Sequence, residues 1–167
     1  MLRNATIMLL KKSSKRTALL FATVLLLSAC SSNGCYEDMS VKLHANFYTV
    51  NAKGKEVAVQ VDSMTVKGVG SDSILYKNKT LSGFVLDLNP NTTETQFLVT
   101  TVQNGYLFVD TLTFEHHNKP WFQSMECGCR VFSTLSACRV AGVIFKSAVI
   151  KDSSVINLTA EHVRLLL

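Results

Sequence analysis

From residue 41 onward the chain alternates between apolar and polar side chains. Val41, Leu43, Ala45 and Phe47 are separated by Lys42, His44 and Asn46, and a period of two predicts a half-buried strand. The turn-forming run Asn51-Ala52-Lys53-Gly54-Lys55 follows, and then Val57, Val59 and Val61 alternate with Ala58, Gln60 and Asp62, which predicts a hairpin. Phe84, Leu86 and Leu88 alternate with Val85 and Asp87 up to the break at Asn89-Pro90-Asn91. Asn104-Gly105 lies between Phe97 to Val102 and Tyr106 to Phe114, and this dipeptide between β-formers predicts a tight hairpin because both residues tolerate positive φ. Trp121 to Gly128, Arg130 to Ser133, Val143 to Val149 and His162 to Leu166 complete the expected strands. A helix has room only around Thr134 to Val140, where the period is weak. About seven to nine short strands with turns roughly every 8 to 12 residues predict an all-β fold, an immunoglobulin-like or related antiparallel β-sandwich. Such a fold hosts many functions and selects none.

The segment before the alternation has a different character. Arg3, Lys11, Lys12, Lys15 and Arg16 precede the apolar run Ala18 to Leu27, and the small residues Ser28 and Ala29 follow. This is the layout of a secretory signal, and its apolar run is shorter than the ~20 residues a spanning helix needs. Leu27-Ser28-Ala29-Cys30 resembles a bacterial lipobox, which implies cleavage before Cys30 and acylation of its thiol. The expected organisation is a signal peptide over 1–29, a lipidated cysteine with a short tether over 30–38, and one β-sandwich domain over 39–167. Met8 is a second candidate start, since Met8 to Cys30 already holds a complete signal.

Removal of that segment changes the electrostatics. The chain has 17 basic and 12 acidic residues and a net charge of +5, but five of the basic residues and none of the acidic ones lie before Cys30. The remaining 12 and 12 cancel. Nucleic-acid binding wants a basic patch and an anionic membrane surface wants a polybasic one, and the mature chain offers no charge excess for either. Membrane attachment is therefore expected through the lipid on Cys30.

Besides the lipobox, the chain carries a nearby cysteine, Phe47-Tyr48, Asp110-Thr111-Leu112-Thr113-Phe114, Phe122-Gln123-Ser124-Met125-Glu126-Cys127-Gly128 and Glu161-His162-Val163-Arg164-Leu165. With these it resembles the small uncharacterised envelope lipoproteins of Bacteroidota. The resemblance implies an all-β lipoprotein and supplies no catalytic residues. Surface-displayed lipoproteins of these bacteria resemble one another in having acidic residues directly after the lipidated cysteine. Ser31-Ser32-Asn33-Gly34 are uncharged, which implies the periplasmic side of the outer membrane. Asp62-Ser63, Asp72-Ser73 and Asp110-Thr111, each followed by an aliphatic-type residue, are similar to bacterial O-glycosylation sites, making Ser63, Ser73 and Thr111 candidates provided their hydroxyls are exposed.

Four cysteines remain after Cys30. In an exported chain, Cys35, Cys127, Cys129 and Cys138 are most simply two disulfides. Cys127 and Cys129 on an extended segment would face the same way, and a bridge two residues apart is strained, so Cys35 is expected to pair with one and Cys138 with the other. Cys35 bonded to this region would close a loop of about 90 residues, worth on the order of 4 kcal/mol in the chain-entropy account. The alternative makes Cys127-Gly128-Cys129 a redox dithiol activated by Arg130, or a soft-metal site with His116 or His117. A dithiol enzyme ordinarily rests on a βαβ pattern, which is missing, and adjacent histidines on a strand face opposite ways.

No nucleophile elbow, phosphate-binding glycine loop or zinc-protease helix occurs in the sequence. Trp121, the only tryptophan, is expected in the core, and His44 and His162 as ordinary strand histidines. The resulting expectation is a non-enzymatic, lipid-anchored binding or structural module with no cofactor, partnered by an envelope protein or glycan. The alternative is a thiol-dependent redox or metal-handling protein centred on Cys127 and Cys129.

Overall fold

A computed structural model describes Cys35 and residues 39–156 and 160–167. The chain divides into two compact units, Met1–Cys35 and Tyr36–Leu167, and the fold below is that of the second. Cys30, the expected signal peptide and most of the expected tether lie outside the described residues.

Eleven strands and no helix make up the described residues: β1 Leu43–Val50, β2 Glu56–Ala58, β3 Val61–Gly68, β4 Ile74–Leu81, β5 Gly83–Leu86, β6 Glu94–Gln103, β7 Tyr106–Ser124, β8 Gly128–Ala141, β9 Ser147–Ile150, β10 Ser154–Val155 and β11 Val163–Leu166. They form two sheets. One runs β2-β1-β11-β9, with β5 also paired to β1, and the other runs β10-β8-β7-β6-β3-β4. The architecture is an all-β sandwich.

The alternation explains which faces meet. Leu43, Ala45 and Phe47 of β1, Phe84 and Leu86 of β5, and Val163 and Leu165 of β11 point inward from one sheet. Val66 of β3, Phe97 and Val99 of β6, and Leu112 and Phe114 of β7 meet them from the other. Phe47 packs edge-on against Phe84 at 4.7 Å and lies 5.3 Å from Phe145, so a loop residue completes the centre of the core. Each such buried Phe or Leu contributes about 1.5–3 kcal/mol. Asn104 and Gly105 adopt φ of 51° and 80° at the β6–β7 turn, as the dipeptide predicts.

Four expectations differ from the structure. Thr134 to Val140 is strand, because β8 continues in register with β7 through Phe114↔Cys138 and Leu112↔Val140, and cross-strand pairing overrides weak local preference. The Val57 to Val61 alternation is not one strand: β2 stays on β1, Val59 N–H donates to Phe47 O at 3.1 Å, and β3 then begins in the other sheet. The sheets are not wholly antiparallel, since β1 and β11 pair in parallel from Ala45↔Val163 to Tyr48↔Leu166. Finally, Val143 to Ile144 is a loop, and β9 starts only at Ser147.

Candidate functional site

Of the residues singled out for chemistry, Cys127, Cys129, Arg130 and Trp121 lie at the far end of the longest hairpin, while His116, Cys138 and the candidate hydroxyls lie elsewhere. β7 is 19 residues long, and β6 pairs with it only as far as Glu115. Beyond that point β7 and β8 continue as a ribbon, with Trp121↔Arg130 and Phe122↔Cys129 opposite one another. Here alternation no longer hides the apolar residues of β7 and its turn, Trp121 being 49% exposed, Phe122 58% and Met125 86%, although Arg130 opposite Trp121 on β8 is only 6% exposed. Trp121 is therefore not a core residue. Its ring lies 6.2 Å from that of Phe132, and the Arg130 guanidinium sits over Phe132 at 5.6 Å while donating to Gln123 Oε1 at 2.6 Å.

The cysteines divide differently from the expectation. Cys35 and Cys127 are disulfide-bonded, whereas Cys129 and Cys138 are free. With five cysteines in the chain, the two bonded ones can only be each other's partners. The second bridge, expected of Cys129 or Cys138, does not form. Both lie on β8 nine positions apart, which at the rise of an extended strand is ~30 Å, far beyond the ~7 Å Cα separation a disulfide spans. Cys127 is not on an extended segment either: it belongs to the turn, and Gly128 follows at φ 72°. Burial pushes the Cys138 thiol up to about 12, so it carries no thiolate near neutral pH. Cys129 is an exposed thiol beside a shallow hollow of about 300 Å³, to which Met39, Val41, Leu88 and Pro90 also contribute.

His116 and His117 do face opposite ways, His116 buried and His117 exposed. The register places His116 opposite Leu135, six positions along β8 from Cys129, so histidine and thiol do not share a site. His116 serves a hydrogen-bond network instead. Asn118 Nδ2 donates to the carbonyls of Asn89 (3.1 Å) and Thr92 (2.7 Å), which fixes Oδ1 as the acceptor from Ser133 Oγ (2.7 Å) and His116 Nδ1 (2.8 Å). His116 Nε2 then accepts from Thr95 Oγ1 at 2.8 Å, and Thr95 Oγ1 accepts from Asn89 N–H at 2.9 Å. The tautomer is set, and the loop carrying Asn89-Pro90 is tied to β7.

Asp110 is the residue whose part sequence reasoning missed. Its carboxylate is fully buried and accepts the N–H groups of Val143 (2.5 Å), Ile144 (2.9 Å) and Phe145 (2.8 Å). It thereby holds the β8–β9 loop over the core. The available signal was parity: Asp110 shares the inward phase of β7 with Leu112 and Phe114. Of the candidate glycosylation hydroxyls, Ser73 is exposed, Ser63 is half-buried at φ 57°, and Thr111 is half-buried on a strand paired on both sides.

At the parallel junction, Glu161 joins Asn46 (3.3 Å) and Arg164 (2.9 Å), and Arg164 also pairs with Glu56 at 2.7 Å and covers the Tyr48 ring at 4.6 Å. Burial pushes the Glu161 carboxyl up, but hydrogen bonds from Arg164, Tyr48 and Asn46 outweigh it and hold the group below its ordinary value. His162 is fully buried; its Nδ1 accepts from His44 N–H at 3.0 Å, and among the described residues its Nε2 makes no hydrogen bond of good geometry. Burial, and then the neighbouring His44, lower its pKa, against smaller opposing effects of the Ser154 backbone and Asp152.

No curated protein and no solved structure matches the chain. Residues 63–167, from β3 through the last strand, match the family of unknown function DUF6452, and the protein belongs to that family.

Proposed function

We propose that the protein is a lipid-anchored envelope module, acylated on Cys30 at the periplasmic side of the outer membrane, that binds another envelope component without catalysing a reaction. The observation that carries this reading is the arrangement of one strand. At the end of β7 stands the turn with Cys127, whose partner Cys35 lies five residues from Cys30. At its start, at most ~60 Å away at the rise of an extended strand, the β6–β7 turn exposes Val102 (50%), Tyr106 (72%) and Leu107 (65%). One end is tethered and the other presents an apolar contact, which suits an envelope protein better than a glycan. Several side chains able to do chemistry are occupied structurally, Cys127 in a bridge and His116 and Asp110 in hydrogen bonds, while the Cys129 thiol is not.

The test has two readouts in the native host. Mass spectrometry of the mature N-terminus is expected to find acylated Cys30, and retention of residues 1–29 would remove the anchor from this reading. A photo-crosslinking side chain at position 107 is expected to trap one envelope protein, while the same probe at Lys77 on β4 traps none. Equal or absent capture at both positions would remove the binding role. The thiol-dependent alternative is favoured by one observation, the free and exposed Cys129 two residues from the bridged Cys127. If Cys129→Ser abolished the protein's phenotype while leaving capture at position 107 intact, that alternative would take precedence. Ser73 remains the best placed of the three hydroxyls for a glycan.

A further inference from the structure

We propose that the Trp121–Cys127 end of the β7–β8 hairpin dips into the membrane–water interface beside the acyl anchor, giving the domain a fixed orientation on the bilayer. The proposal rests on the lipid-anchor reading above and extends it from tethering to docking.

Three observations converge on it. The first is reach. Cys35 is bonded to Cys127, and Cys35 lies five positions after Cys30. Whatever conformation the chain takes between them, five steps along it span at most about 17 Å. With about 6 Å more for the disulfide, an acylated Cys30 would hold the Cys127 turn within ~23 Å of the bilayer surface.

The second is the chemistry of what is held there. Trp121 is 49% exposed, Phe122 58% and Met125 86%, three large apolar side chains within five residues. Tryptophan favours the headgroup region, where its ring is covered and its N–H stays hydrated. Lys119 and Glu126 are also exposed at this end. Charges flanking the apolar residues limit penetration to the interface, since carrying them into the hydrocarbon is costly.

The third is shape. Trp121 and Phe122 are successive residues of one strand and so lie on opposite faces of the ribbon, yet both are exposed. A flat protein surface can cover one face of a ribbon. A fluid interface can reach exposed side chains on both.

Trp121 is the chain's only tryptophan, so its emission reports on this end alone. The acylated, full mature protein is reconstituted into phosphatidylcholine vesicles whose acyl chains carry bromine near the headgroup, and is compared with unbrominated vesicles. The expected result is co-flotation with the vesicles and a roughly two-fold loss of Trp121 emission, as for a ring at interfacial depth. Met125→Asp and Phe122→Asp, both at exposed positions outside the core, should leave flotation intact and restore most of the emission. Flotation without quenching, or quenching that both variants leave unchanged, overturns the docking while the anchor stands. Emission that ignores bromine but shifts with protein concentration assigns the tip to a second copy and overturns it equally. Failure of the acylated protein to float removes the anchor reading, and the docking with it.

Discussion

The Asp110 carboxylate fills the space in which a side chain at position 142 would lie. A Cβ on Gly142 would stand 1.8 Å from Asp110 Oδ1 and 2.7 Å from its Cα. Glycine is needed here for close approach, since its absent side chain lets the loop backbone reach the buried carboxylate. Gly142→Ala must push the loop away and strip N–H groups from Asp110, at a cost of about 2–4 kcal/mol. Asp110→Asn, which keeps the shape but turns an amide toward N–H donors, should cost a similar amount. Urea denaturation should show both as lowered midpoints with unchanged slopes. A midpoint within error of the parent protein would refute the account of this loop.

Asn118 uses all four of its hydrogen-bonding positions, two as donor and two as acceptor. Asn118→Asp keeps the acceptors and faces the carbonyls of Asn89 and Thr92 with an oxygen instead of a donor. The expected loss is about 2–3 kcal/mol, and amide exchange in residues 89–93 should rise more than in β1. Uniform loss of protection across the sandwich would contradict the local tie.

His162 makes stability depend on pH. Burial lowers its pKa in the folded state below the ordinary 6.5, so the unfolded chain binds the proton more readily. The stability it contributes is complete above about pH 6.5 and is lost as the pH falls below that value. Thermal melting between pH 7.5 and 5 should show a decline that His162→Gln makes shallower. An equally steep decline in the variant would assign the acid sensitivity to other groups.

The thiols should separate by reactivity. At pH 8 and without denaturant, iodoacetamide is expected to modify Cys129 and to spare Cys138, whose thiol is pushed up to about 12 by burial. Peptide mapping reads both. Comparable labelling of the two would show that β8 opens at Cys138.

Loss of the bridge is expected to act mainly on the unfolded chain. Cys35→Ser with Cys127→Ser releases a loop of about 90 residues and should lower stability by about 2–4 kcal/mol, while the core strands retain their amide protection. A drop confined to the β7–β8 turn, with no change in global stability, would mean that the loop-closure account does not apply.

Much of the fold was legible in sequence, because a strand with one buried face must alternate. Leu43, Ala45 and Phe47, or Phe84 and Leu86, could be assigned to the core by parity alone. Asn104-Gly105 could be assigned to a turn because φ is a local property. The edge strand β4 was not legible, since with nearly all its side chains exposed it has no apolar phase to read. Trp121 was misplaced because alternation says nothing about where a ribbon outruns its sheet.

The sequence by itself determined the basic and then apolar layout before Cys30, the cancelling charges from Cys30 onward, and the β character of the domain. These depend on composition and on periods of two, which need no knowledge of distant neighbours. Tertiary structure alone decided that Cys35 bonds Cys127, that Cys129 stays free, that β1 and β11 run parallel, and that Asp110 belongs to a loop more than thirty residues away. Each of these is a meeting of residues far apart in the chain, and which residues meet is settled by the packing of the two sheets.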